Sequence, residues 1–252
     1  MDIMAALRRM ARKYSGRIAR GLLGLSYFGD GFCTQHAAPF LVDDRFVRAY
    51  AAARSILSSD TTRIGDTSWR LRVCCWAAQH AMKIGGVLVE CGVNRGMTAM
   101  VVAEYLELER KVHPEYYLFD TFEGIPECMA LPEEIDNVRR MNTHYRNVVD
   151  EVVTRFARFP SVHVVQGVLP DVLAVLPGVR IGYLSVDLNV AVPEREVLER
   201  CWDRLLKGAV VVLDDYGWKG FERQRQEHEA FARSHGVEIL ELPTGQGLII
   251  KP

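Results

Sequence analysis

The sequence lacks the patterns that build disulfide frames, zinc sites or membrane spans. Its six cysteines, at positions 33, 74, 75, 91, 128 and 201, include no CxxC and no paired spacing. They read as reduced thiols, small apolar side chains of a cytoplasmic protein. The seven histidines form no HxxxH or HExxH set, which disfavours a zinc hydrolase. No apolar run approaches the roughly 18 to 20 residues a membrane span needs. The opening MDIMAALRRMARKYSGRIARGLLGL is interrupted by Arg8, Arg9, Arg12, Lys13, Arg17 and Arg20, so it is no signal-peptide core. It reads instead as a basic amphipathic helix suited to surface or self-association packing. A balance of 31 basic against 32 acidic residues leaves a net charge of −1, with no basic field to collect nucleic acid or anionic lipid.

What is present is apolar material in quantity. With 252 residues, 49% of them hydrophobic, the chain is long enough for one large α/β domain. Up to about residue 85 the periodicity is helical: DDRFVRAYAAARSIL from Asp43 and SWRLRVCCWAAQHAMKIGG from Ser68 repeat apolar residues at three- and four-residue steps. No strand is expected there. From Gly86 short apolar runs alternate with helical patterns: VLVEC (87–91), YYLF (116–119), VHVVQ (162–166), IGYLSV (181–186), AVVVL (209–213), EILEL (238–242) and GLIIK (247–251). Strands alternating with helices imply right-handed βαβ units and a mainly parallel sheet covered on both faces. Only PTGQ, Pro243 to Gln246, joins the last two strands, too few residues for a crossover, so they must form an antiparallel hairpin. The expected organisation is a helical N-terminal extension over 1–85 and one α/β domain over 86–252.

In such sheets ligands bind beyond the carboxyl ends of the strands. The first strand ends in ECGVNRG, with Glu90, Cys91, Gly92, Val93, Asn94 and Gly96 leading into a helix. Glycine lets the backbone approach a ligand, and the helix amino end offers free N–H groups. Asn94 stands where GxGxxG would have its second glycine, which disfavours a nicotinamide oxidoreductase. The second strand ends in FDTFEG, placing Asp120, followed by Thr121 and Phe122, 24 positions after Gly96. An acid about 20 residues beyond such a loop is suited to the two hydroxyls of a ribose. The third strand closes with Gln166 and Gly167, which would edge an adenine. The fourth and fifth end in SVDLN and LDDYG, gathering Asp187, Asn189, Asp214 and Asp215 at one rim. Neighbouring carboxylates repel unless a cation, a proton or a set of donors offsets them. Their hard oxygens suit Mg²⁺ or another divalent cation; helix capping in solvent is the alternative.

Together ECGVNRG, FDTFEGIPE, the Asp187 strand end and LDDYG resemble the macrocin O-methyltransferase family, over roughly residues 86–251. The resemblance implies a class I methyltransferase sheet, seven strands in the order 3-2-1-4-5-7-6 with an antiparallel last strand. It implies S-adenosylmethionine held by the glycine loop and Asp120, Mg²⁺ on Asp187, Asp214 and Asp215, and a sugar or natural-product hydroxyl as small-molecule acceptor. It also implies a proton-accepting carboxylate two positions after Asp187. Here that position is Asn189, and an amide cannot accept a proton near neutrality. Water, if the metal acidifies the substrate hydroxyl enough, or His144, His36 or Asp215 as base are the replacements open to the chain; methylation of something other than oxygen is a further outcome. A cofactor-binding subunit without chemistry is the alternative. The segment from Thr121 to about Val148, too long for a simple connection, reads as a lid, with Arg139, Arg140, His144, Tyr145 and Arg146 as a set that could meet an acidic substrate. Ser26 to Leu41 is expected to cover the acceptor side or to pack in the core or against a second subunit of a homo-oligomer.

Overall fold

A computed structural model describes residues 24–57, 66–145 and 147–252. The basic segment at the start of the chain, apart from its last two residues, and Arg146 lie outside the described residues. The chain runs β1 (Tyr27–Gly29), β2 (Phe32–Thr34), α1 (Asp44–Leu57), α2 (Ser68–Ile84), β3 (Val87–Cys91), α3 (Met97–Leu106), β4 (Tyr116–Asp120), α4 (Ile135–Asn142), α5 (Val149–Phe156), β5 (Val162–Gln166), β6 (Ile181–Val186), α6 (Ala191–Trp202), β7 (Leu205–Leu213), α7 (Glu222–Ser234), β8 (Leu240–Glu241) and β9 (Gly247–Ile250). Short 3-10 turns intervene, among them Asp171–Val175.

The main sheet has seven strands in the order β5-β4-β3-β6-β7-β9-β8, which is the expected 3-2-1-4-5-7-6. Pairings from β5 through β7 are parallel; β9 runs antiparallel to both β7 and β8, with the PTGQ turn closing the β8–β9 hairpin. Period-two alternation divides the core between the two faces. Leu88, Tyr116, Leu118, Tyr183, Val210 and Val212 pack with residues of α1, α2 and α3. Val89, Cys91, Phe119, Leu184, Val186, Val211 and Leu213 pack with Val197, Leu198 and Phe231 of α6 and α7. The N-terminal helices therefore cover one face of the sheet. No described helix is long and apolar enough to cross a membrane.

One expectation fails. The N-terminal segment does hold strands: β1 and β2 form a hairpin, Tyr27 opposite Thr34 and Gly29 opposite Phe32. Its two-residue turn is Asp30-Gly31, both at positive φ (49° and 80°). Aspartate-glycine is a strong hairpin signal, but three-residue strands are too short to register as periodicity. The hairpin is anchored by Tyr27, fully buried against Phe32 and Trp69.

Candidate active site

The parallel register brings the carboxyl ends of β3, β4, β6 and β7 to one rim: Cys91 stands opposite Phe119 and Val186, and Val186 opposite Leu213. The residues following these strands surround a cavity of about 660 Å³, within the usual range for small-molecule sites.

On one side lies the glycine loop. Gly92 sits at φ 92°, and a Cβ there would fall 1.8 Å from the Asp187 carbonyl oxygen. No other residue fits between β3 and β6. Gly96 (φ 83°) caps α3 with its Cα side pressed on the Phe156 ring, 2.6 Å from where a Cβ would be. Asp120 ties the loop down: one oxygen accepts from the Val93 and Asn94 N–H groups at 2.6 and 2.8 Å, the other from the Phe122 N–H at 2.6 Å. Its carboxylate lines the cavity while serving as the brace of the loop. Glu90 also lines the cavity, is only 1% exposed, and accepts a hydrogen bond from the Tyr116 hydroxyl. Burial, opposed by that hydrogen bond, pushes its carboxyl up to about 8.

Of the residues expected to hold a nucleoside cofactor, Glu90, Gly92, Val93, Asn94, Asp120, Thr121, Phe122 and Gly167 line this cavity. Gly96 does not line it and packs on Phe156. Cys91 points into the core on the α6 face. Gln166 lines a smaller neighbouring pocket and donates from Nε2 to the Thr121 carbonyl at 3.0 Å.

Acids gather on the other side. Asp187 and Asp214 line the cavity. Burial, then the charge of Asp214, raises the carboxyls of Asp187 and Asp215 well above the usual carboxylate range. Asp214 already has donors on both oxygens: Arg70 Nη1 at 2.5 Å and Gln246 Nε2 at 3.1 Å. Asp187 Oδ1 accepts from Asn189 Nδ2 at 2.8 Å. Asp215 is absent from the cavity wall and acts on its neighbours through charge. The donor chemistry suits a hard cation, but the geometry does not: among the described residues no group of three His, Cys, Asp or Glu side chains converges as a metal cage.

His144 and His36 are solvent-exposed and do not line the cavity. Tyr145, next to His144, does. Burial and the surrounding charges of Asp187, Asp215, Asp120 and Asp214 raise its phenol, leaving it a hydrogen-bond donor. Arg139 and Arg140 of the lid turn outward: Arg139 pairs with Glu127 and Arg140 with Asn137 on the exposed surface. Inside the lid, Asn142 exchanges two hydrogen bonds of 2.8 Å with the Ile125 backbone. Glu134 joins it to α6 by accepting from the Ala191 N–H at 2.9 Å.

Several residues escaped the sequence reading. Asp30 and Gly31 of the hairpin turn, Arg70 of α2 and the exposed Trp218 all line the cavity. PTGQ, read only as a turn, delivers Gln246 to Asp214 and the Thr244 carbonyl to Arg70 at 3.1 Å. Glu194 of VPERE, 2% exposed, accepts from the Leu188 and Asn189 N–H groups at 2.8 and 3.0 Å and from Gln224 Nε2 at 2.8 Å. His228 Nε2 lies 2.8 Å from its other oxygen. This buried hub holds Asn189 at φ 61°, a left-handed conformation. Only the Asp-Gly pair carried a readable local signal.

The chain is 29% identical over 142 residues to the 8-demethyl-8-(2,3-dimethoxy-alpha-L-rhamnosyl)-tetracenomycin-C 4'-O-methyltransferase of Streptomyces olivaceus, a match over 53% of this chain and 54% of that one. It thus spans about half the length of this curated relative. Among solved structures, the O-methyltransferase NovP superposes with a TM-score of 0.64 at 18% identity, over 72% of this chain and 79% of that one. The calicheamicin methyltransferase CalS11 superposes with a TM-score of 0.55 at 20% identity, over 85% and 94%. At these identities the two structures speak for the fold. Residues 48–239 match the family described as macrocin-O-methyltransferase (TylF), and the chain belongs to that family.

Proposed function

We propose that the protein is an S-adenosylmethionine-dependent O-methyltransferase acting on a hydroxyl of a small molecule such as a sugar or natural product. The observation that carries this is the single cavity wall on which a glycine loop braced by Asp120 faces an acid cluster at the ends of β6 and β7. The family and the curated relative, itself named as the 4'-O-methyltransferase of a rhamnosyl-tetracenomycin, support the reaction class.

When bound, S-adenosylmethionine supplies an already activated methyl group, so the chain's task is alignment and exclusion of water. Gly92, Val93 and Asn94 would lie along the cofactor without donating to it, their N–H groups being taken by the Phe119 carbonyl and Asp120, and the amino end of α3 would face its charged groups. Glu90 and Asp120 supply carboxylates to its polar groups, while Thr121, Phe122 and Gly167 bound the nucleoside. Lid residues Ile125, Pro126, Met129 and Tyr145 wall off solvent. On the acceptor side Asp187, oriented by Asn189, is the cavity-lining carboxylate available to take the hydroxyl proton. Asn189 orients that acid rather than acting as a base. Asp215 adds negative charge behind it. Mg²⁺ on Asp187, Asp214 and Asp215 remains the expectation that the family resemblance raised. No step is assigned to the ion, because Asp214 is engaged by Arg70 and Gln246.

Incubation with methyl-labelled S-adenosylmethionine and a panel of glycosides and nucleotide sugars tests the reading. Label transfer to a hydroxyl is expected. Tight binding of S-adenosylhomocysteine by calorimetry with no transfer to any acceptor would favour a cofactor-binding subunit, the reading that Asn189 supports. Light scattering checks the expected homo-oligomer.

A further inference from the structure

We propose that Arg70 is the resident cation of the acid cluster, a guanidinium from the N-terminal helices that satisfies Asp214 and keeps divalent ions off it. The inference takes from the proposed function only the location of the site.

Arg70 is committed through all three nitrogens. Nε donates to Asp30 Oδ2 at 2.9 Å, Nη1 to Asp214 Oδ2 at 2.5 Å and Nη2 to the Thr244 carbonyl at 3.1 Å. Its guanidinium carbon lies 5.0 Å from the centre of the Trp218 ring. The other Asp214 oxygen takes Gln246 Nε2 at 3.1 Å. A planar fork with fixed donors on one side and an aromatic plane behind it is geometrically determined, unlike a flexible ammonium.

The surroundings are dry enough to matter. The side chains of Arg70, Asp214 and Asp30 are 13%, 15% and 1% exposed. At such burial a charge pair is screened far less than at the surface. A hard divalent cation wants carboxylate lone pairs free for a shell of six or more oxygens. Each Asp214 oxygen already accepts one hydrogen bond, and an ion there would sit against the guanidinium at like-charge contact distance. An ion can enter only if Arg70 withdraws, which breaks three hydrogen bonds and strands Asp30. The cluster's repulsion is therefore offset by a donor 144 residues away in sequence, and the N-terminal helices are part of the acceptor site.

Mn²⁺ is the probe, titrated into the full chain with S-adenosylhomocysteine present, free ion being counted by electron paramagnetic resonance. The wild type is expected to leave Mn²⁺ free up to millimolar concentrations. Arg70→Gln should tighten the ion's binding at least about tenfold, and Asp214→Asn added to it should remove the gain. Arg70→Lys keeps the charge but loses the fork and should fall between the two, and the wild-type titration by itself keeps the question decidable even if Arg70→Gln does not fold. Stoichiometric micromolar Mn²⁺ binding by the wild type would overturn the proposal, as would unchanged affinity in Arg70→Gln. Calorimetry of S-adenosylhomocysteine in the same samples reports on the methyltransferase reading separately, since its loss would leave the ion result standing.

Discussion

The two halves of the cavity are built by different means. The half proposed for the cofactor is made by a tightly held backbone: Gly92 on the Asp187 carbonyl, and the Asp120 carboxylate gripping the Val93 and Asn94 N–H groups. The half proposed for the acceptor is made by side chains recruited from a distance: Arg70 and Asp30 from the N-terminal segment, Gln246 from the last hairpin, Glu194 from α6. One half is constrained sterically at Gly92. The other depends on charges that must be balanced in a buried place.

Substitutions can break that contrast. Gly92→Ala should be the most damaging, because it adds a clash at 1.8 Å to a left-handed φ; a loss of about 3–5 kcal/mol is expected, read from urea unfolding. A cost below about 1 kcal/mol would show that β3 and β6 can separate there. Glu194→Ala removes the buried acceptor of two backbone N–H groups and of Gln224, and the carboxylate beside the buried His228. Stranding such partners costs about 3 kcal/mol, and Glu194→Gln should recover much of it. Asp120→Ala should leave the fold intact and weaken S-adenosylhomocysteine by roughly 10–100-fold in calorimetry, from the loss of charge-assisted hydrogen bonds. Equal damage to the acceptor half, with the fold retained, would merge the two regions.

A pH effect sharpens the comparison further. Glu90 titrates at about 8 in the folded chain against an ordinary 4.5, because it is buried. A carboxyl whose folded pKa is raised favours the folded state below its unfolded pKa and loses that contribution as pH climbs to the folded value. Between pH 4.5 and about 8 the wild type should therefore lose stability relative to Glu90→Gln, in a series of melting curves. Parallel curves would place the charge elsewhere. The smallest effect belongs to Arg139→Ala on the outer lid, whose ion pair with Glu127 is exposed: turnover and melting temperature should not change.

Legibility in the sequence followed the same division. ECGVNRG and FDTFEG sit in single stretches, so their spacing alone pointed to a ligand loop and its acid, and the hairpin turn PTGQ dictated the antiparallel end of the sheet. Helix bounds shifted by a few residues, as expected of frayed ends. The acid tips of β6 and β7 were legible as a cluster, but their partner was not. Nothing local to Ser68–Ile84 marks Arg70 as an active-site residue, since a basic residue on a helix ordinarily faces solvent. His144 looked equipped for catalysis and turned outward, while its neighbour Tyr145 turned in, a choice made by the packing of the lid.

By itself the sequence determined the alternation of strands and helices, hence the layered sheet, its hairpin end and the positions of its ligand-facing tips. Those features depend on hydrophobic period, glycine and loop length, all of which act over a few residues. Only the tertiary structure decided what neutralises Asp214, which acid faces the cavity and which lid residue lines it. Charge pairing across a folded chain is set by where distant side chains end up in space, and linear spacing carries no record of that distance.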